Sequence, residues 1–227
     1  MAKVGVVLSG SGVYDGSEIH EAVLTLYYLQ KYGNETMIMA PNVEQAHVVN
    51  HLTGKVSEGE KRNVLVESAR IARGAIVDIA DVTAEDFDAL VFPGGFGAAK
   101  NLTTFAFDGA DCKINKDVLR LVKETVEAKK PLAAICIAPV ILARVFKDSG
   151  IKTQITVGND AGVAAAINSM GSEHIECPVK EAIVDTHHRI ITSPAYMLAG
   201  SVAELAEGVK KTIQTLVGML NENTAAG

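Results

Sequence analysis

The chain has 227 residues, 48% of them apolar and 21% charged, a balance ordinary for one soluble globular domain with a full core spanning 1–227. Its net charge of −6 is spread without a basic run or face, so electrostatics give no reason to expect nucleic acid or an anionic membrane, and small molecules or proteins remain as partners. Cys112, Cys136 and Cys177 lie far apart with no C-x-x-C pair, which suggests neither a disulfide framework nor a zinc site and fits a reducing cytoplasm.

Residues 4–9 read as a first strand and not as a signal peptide, because the apolar stretch is short and no cleavage site follows. No later segment reaches transmembrane length. A helix is predicted over 17–32, with Asp15 as its cap, Glu18 returning the bond three residues on, and Gly33 ending it in the left-handed conformation. Ile19, Ala22, Val23 and Leu26 are expected to form its core stripe, which leaves Glu18, Glu21 and Thr25 on a different face. Two readings of the glutamates stand: they line the mouth of the sheet, or they simply favour the positive end of the helix.

The alternation continues with a strand at 36–40, a helix at 63–72, a strand at 89–93, a helix at 115–128, a strand at 131–135 and a helix at 138–146. A strand at 154–157 and a helix at 161–170 follow. Such alternation implies a mainly parallel sheet with helices on both faces. Segments 182–185 and 189–192 flank Thr186-His187-His188 as a hairpin expected to run antiparallel to the rest, and 202–220 closes the chain as a helix. The stretches 47–62 and 105–115 read as long loops or insertions.

Two motifs on this frame carry chemistry. Leu132 to Ile135 run as a buried strand into Cys136, and Pro139 suits the first turn of the helix that follows. Cys136 therefore sits on a tight strand-to-helix turn, where the positive end of that helix favours thiolate over thiol. The alternative is a small buried hydrophobe. After the strand at 89–93, Gly94, Gly95 and Gly97 allow backbone N–H groups to approach a ligand, as in an oxyanion cradle. It is not a phosphate loop, since the GK[ST] ending and the G-x-G-x-x-G spacing are absent. Tyr14, Asp15, Glu18 and Asn101 are possible pocket residues, with capping or turn formation as the competing role. His187 and His188 are expected to be solvated, and His47, His51 and His174 show no metal-ligand spacing.

Several motifs resemble one family. Val6-Val7-Leu8-Ser9-Gly10, Gly12 to Ala22, Asn50-His51-Leu52-Thr53-Gly54, Pro93 to Leu102, Cys136-Ile137-Ala138-Pro139 and Pro194 to Ala199 resemble the ElbB-type proteins. These are isoprenoid biosynthesis proteins with an amidotransferase-like domain, in the PfpI-like branch of the class I glutamine amidotransferase-like superfamily. The resemblance spans nearly the whole chain. It implies a flavodoxin-like three-layer α/β sandwich, a homodimer, and a cofactor-free glyoxalase, a lyase acting on glyoxal or methylglyoxal. It also implies that Cys136 is the elbow cysteine, that Glu21 hydrogen-bonds it, and that Gly95 and Ile137 supply oxyanion-site N–H groups. The histidine that relatives carry about twenty residues beyond the cysteine is absent, since residues 153–160 contain none. That departure argues against a full triad and against glutaminase chemistry.

The groups present suit an aldehyde. Cys136 adds to a 1,2-dicarbonyl as a hemithioacetal, a protonated Glu21 with raised pKa moves the proton between carbons, and water releases the hydroxy acid, with no metal or glutathione. Alternatives are a metabolite- or redox-sensing regulatory protein linked to isoprenoid synthesis, with Cys136 reporting oxidation, or a protein deglycase.

Overall fold

In a computed structural model, residues 1–225 are described, with side chains through 222. The first half of the chain forms β1 (Lys3–Val7), α1 (Ile19–Lys31), β2 (Glu35–Ala40), β3 (Val49–Asn50), β4 (Lys55–Val56), α2 (Val64–Ile71), β5 (Val77–Asp78) and β6 (Ala89–Phe92). There follow α3 (Phe105–Asp108), α4 (Lys116–Glu127), β7 (Leu132–Ile135), α5 (Pro139–Phe146), β8 (Gln154–Ile155), α6 (Ala161–Ser169), β9 (Glu173–His174), β10 (Ile183–Asp185), β11 (Ile190–Ser193) and α7 (Val202–Ala225).

Seven strands make one sheet in the order β10-β11-β7-β6-β1-β2-β5. Strand periodicity explains its two cores, because successive residues point to opposite faces. Along β6, Ala89 and Val91 enter one core while Leu90 and Phe92 enter the other; along β7, Ala133 and Ile135 part from Leu132 and Ala134 in the same way. One face is covered by α4, α5 and α6 through Val118, Leu121, Ile141, Leu142 and Ile167. The other is covered by α1, α2 and α7 through Ala22, Leu29, Val64, Val209 and Ile213. The fold is thus the expected three-layer α/β sandwich.

Four expectations need correction. First, β11 runs parallel to β7, and only β10 is antiparallel; the tight turn at Thr186-His187-His188 reverses the chain once, so just one arm of the hairpin opposes the sheet. Second, 154–157 does not join the main sheet, because β8 pairs instead with β9 in a separate two-stranded ladder. Third, α1 docks through Glu21, Ala22, Thr25, Tyr28 and Leu29, leaving Ile19, Val23 and Tyr27 exposed. The glutamate face therefore points inward, where backbone donors compensate the buried carboxyl. Fourth, the cap of α1 is Glu18, whose carboxylate accepts from the Glu21 N–H at 2.7 Å. Asp15 instead accepts from the Val49 N–H at 2.7 Å and ties the β3–β4 hairpin to the loop before α1. Gly33 ends α1 at φ +80° as expected.

The stretch 47–62 holds the β3–β4 hairpin and 105–115 holds α3. The edge strand β5, only two residues long, had no pattern to announce it.

Candidate active site

Because β1, β6, β7 and β11 are parallel and adjacent, the loops leaving them gather at one edge of the sheet, where open α/β sheets bind ligands. Cys136 leaves β7 with φ +61°, a left-handed conformation costly for a residue with a Cβ. Its N–H donates to the Ser193 carbonyl at 2.9 Å, which holds the turn against β11. Cys136 is 7% exposed.

Glu21 faces it from α1 and is fully buried. Its Oε2 accepts from the Gly94 N–H at 2.9 Å and its Oε1 from the Tyr196 N–H at 3.1 Å. These donors explain how α1 can present a carboxyl to the sheet. Burial outweighs them and, with the nearby Glu18 charge, raises the Glu21 pKa from 4.5 to about 7. Burial also pushes the Cys136 thiol well above its ordinary value, and the Glu21 charge pushes it in the same direction. The backbone N–H groups of Gly95 and Ile137 donate toward the sulfur and oppose that rise without cancelling it. The thiolate expected from the helix dipole is therefore not the form favoured in the free protein: two acids share a dry site that resists a second negative charge.

The glycines after β6 let this happen. A Cβ on Gly94 would overlap the Cys136 side chain and stand 2.6 Å from Glu21 Oε2. Gly95 adopts φ +97°, and its neighbours interlock with the loop before α1: the Glu18 N–H donates to the Gly94 carbonyl and the Phe96 N–H to that of Val13, at 2.9 and 2.8 Å.

A cleft of about 390 Å³ opens above the thiol. Cys136, Ile137, Gly95 and Glu18 line it, and so do Tyr196 and Phe96. Glu21 lies beneath, hydrogen-bonded to the thiol. Tyr14, Asp15 and Asn101 do not line it. Tyr14 packs against His51, the ring centroids 5.0 Å apart and the planes tilted by 33°. Asn101 is a strut: its amide donates to the Ser9 and Asp15 carbonyls, both at 2.8 Å, and accepts from the Ala46 N–H at 2.9 Å. Another hollow, of about 190 Å³ beside Arg144 and Asp148, is not lined by a thiol.

Sequence reasoning missed Tyr196, whose N–H pins Glu21 and whose hydroxyl lies 2.8 Å from His20 Nδ1. The signal available was its place in the motif Pro194 to Ala199, which carries part of the family resemblance. No histidine lines the cleft. His187 is exposed as expected, but His188 is half-buried and pairs with Asp185 at 2.8 Å, because the hairpin turn folds its ring back onto that carboxylate. Among the described residues no helix is long and apolar enough to cross a membrane, and no three His, Cys, Asp or Glu side chains are placed to hold a metal ion.

Comparison with known proteins fits this geometry. Residues 12–196, the span containing Glu21, the glycine turn, Cys136 and Tyr196, match the DJ-1/PfpI family. The chain belongs to that family. It is 47% identical over 225 residues to the human "Glutamine amidotransferase-like class 1 domain-containing protein 3, mitochondrial", covering 95% of this chain and 82% of that protein. The crystal structure of an isoprenoid biosynthesis protein with amidotransferase-like domain from Ehrlichia chaffeensis superposes with a TM-score of 0.91 at 39% identity, over 97% of this chain and 100% of that one. Glyoxalase III of Candida albicans shares the fold, with a TM-score of 0.62 at 16% identity over 96% of each chain. The human DJ-1/PfpI relative is named mitochondrial, so the cytoplasm expected from cysteine usage finds no support there.

Proposed function

We propose that this DJ-1/PfpI protein is an ElbB-type, cofactor-independent glyoxalase that converts a 1,2-dicarbonyl and water to the 2-hydroxy acid. The observation that carries the reading is the Cys136–Glu21 pair: a strained, buried thiol against a buried carboxyl whose pKa is about 7, with the Gly95 and Ile137 N–H groups alongside. A carboxyl titrating near neutrality can both take and return protons at working pH.

The sequence of steps follows from these groups. As Cys136 sulfur bonds to the aldehyde carbon, its proton passes to the Glu21 carboxylate. The new oxyanion forms beside the Gly95 and Ile137 N–H groups, which stabilise it, and then takes the proton from Glu21 to give the hemithioacetal. Glu21, ionised again, removes the proton from the former aldehyde carbon and returns it to the neighbouring carbonyl carbon through an enediol, while the hydroxyl proton moves to the adjacent oxygen. The aldehyde carbon is thereby oxidised to a thioester and the ketone carbon reduced to an alcohol. Water cleaves the thioester, releasing the hydroxy acid and restoring the thiol.

A redox sensor calls for an accessible, low-pKa thiol, whereas burial pushes Cys136 up and leaves it 7% exposed. The proposed partner is a small dicarbonyl, and the resemblance adds a homodimer with neither nucleic acid nor membrane.

The test is consumption of glyoxal and methylglyoxal by purified protein without added thiol, with identification of the acid. Wild type should turn over repeatedly. Cys136→Ala should fall to background, and Glu21→Gln should lose roughly 100-fold or more, the scale of a general acid–base group. Stoichiometric loss of dicarbonyl, or turnover that survives Cys136→Ala, would overturn the reading.

A further inference from the structure

We propose that the cleft selects uncharged 2-oxoaldehydes carrying an apolar body, with aryl preferred over methyl or hydrogen, and rejects anionic ones. The proposal rests on the glyoxalase reading for its chemistry, but its argument comes from the walls of the cleft.

Size comes first. A dry apolar cavity of about 150 Å³ is enough to hold benzene, and the cleft above Cys136 measures about 390 Å³. Methylglyoxal would leave most of that space to water. A phenyl group attached to the same dicarbonyl would occupy a much larger share of it.

Wall chemistry points the same way. Val13, Phe96, Phe105, Val163 and Met197 supply apolar side chains around the thiol. Phe96 is 47% exposed, the state of a ring that lacks a packing partner on one side. A substrate ring set against it removes apolar surface from both. In a hydrophobic pocket, even one methylene changes kcat/KM by about tenfold or more.

Charge supplies the exclusion. Among the described residues, the only charged side chains lining the cleft are carboxylates, Glu18 and Asp160. Both are fixed in place: Glu18 accepts from the Glu21 N–H at 2.7 Å and Asp160 from the Val163 N–H at 2.8 Å. Lys100 lies 5.2 Å from the Phe96 ring centroid, but it does not line the cleft and donates to the Tyr14 carbonyl at 2.9 Å. An anionic tail would meet two like charges and no lining cation, Glu18 buried and Asp160 at the exposed rim.

The experiment compares kcat/KM for phenylglyoxal, methylglyoxal and 4-carboxyphenylglyoxal, each corrected for its reactivity toward free cysteine. Phenylglyoxal, yielding mandelate, should exceed both others by at least tenfold. Val163→Glu should narrow the phenylglyoxal-to-methylglyoxal ratio severalfold, a change that a general loss of folded protein leaves untouched. A methylglyoxal or carboxyphenylglyoxal value equal to that of phenylglyoxal overturns the proposal while leaving the glyoxalase reading standing. If none of the three turns over, that reading falls, and labelling of Cys136 decides the cleft by itself. N-phenylmaleimide should then outpace N-(4-carboxyphenyl)maleimide by at least tenfold, with Cys136→Ala as blank, and equal rates sink the selectivity.

Discussion

At the scale of single residues, the site is held in a state that the fold would not choose for stability. Glu21 has a pKa of about 7 against an ordinary 4.5, so between those values the folded protein keeps a proton that the unfolded chain has released. Stability therefore falls as pH rises through that window, and the penalty, roughly 3 kcal/mol, is complete above about pH 7 and absent below 4.5. Glu21→Gln cannot ionise. Its melting temperature relative to wild type should climb from pH 5 to pH 8, and a pH-independent difference would contradict the raised pKa. Gly94 is the second sensitive position, because any Cβ there overlaps the Cys136 side chain. Gly94→Ala should cost about 2 kcal/mol in urea unfolding and remove activity. Cys136 and the glycine turn were legible from the strand ends they follow, whereas Glu21 was set beside Cys136 by the family resemblance, since helical spacing left two readings of it open. Tyr196 was not legible, because its contribution is a backbone N–H, which any residue type can supply. Nor was the direction of the Cys136 pKa, which depends on burial that no motif reports.

Among the elements, α7 illustrates what periodicity can and cannot tell. Leu205, Val209, Ile213, Leu216 and Leu220 recur at helical spacing and all are buried, and that spacing made the helix itself readable. Ile213→Ala should cost roughly 3 kcal/mol, the scale for a buried aliphatic side chain, and appear as a lower urea midpoint. The same reasoning misplaced the face of α1. Hydrophobicity put Ile19 and Val23 inside, but Glu21 and Thr25 are the buried residues. A buried carboxyl has overridden the apolar pattern, a local conflict of the kind expected at sites under functional constraint. Short elements were hidden for a different reason. β5 and the β8–β9 ladder have two residues per strand, fewer than one full period of alternation.

For the molecule as a whole, one sheet with both faces covered by helices from across the chain should unfold as one unit. Far-UV circular dichroism and tyrosine fluorescence should give coincident urea transitions; separated midpoints would mean that the 1–227 chain contains two cooperative units. The α/β class and the parallel core could be read from the alternation of strand and helix patterns, whereas the order of strands across the sheet could not, since it depends on contacts between distant segments. Those distant contacts also set a timetable. Glu21 is held by the backbone of Tyr196, 175 residues later, a stretch that takes roughly 10–35 s to synthesise. Until then the emerging chain has a cysteine but no finished pocket, so the Cys136–Glu21 pair is assembled only after the chain has been synthesised past Tyr196.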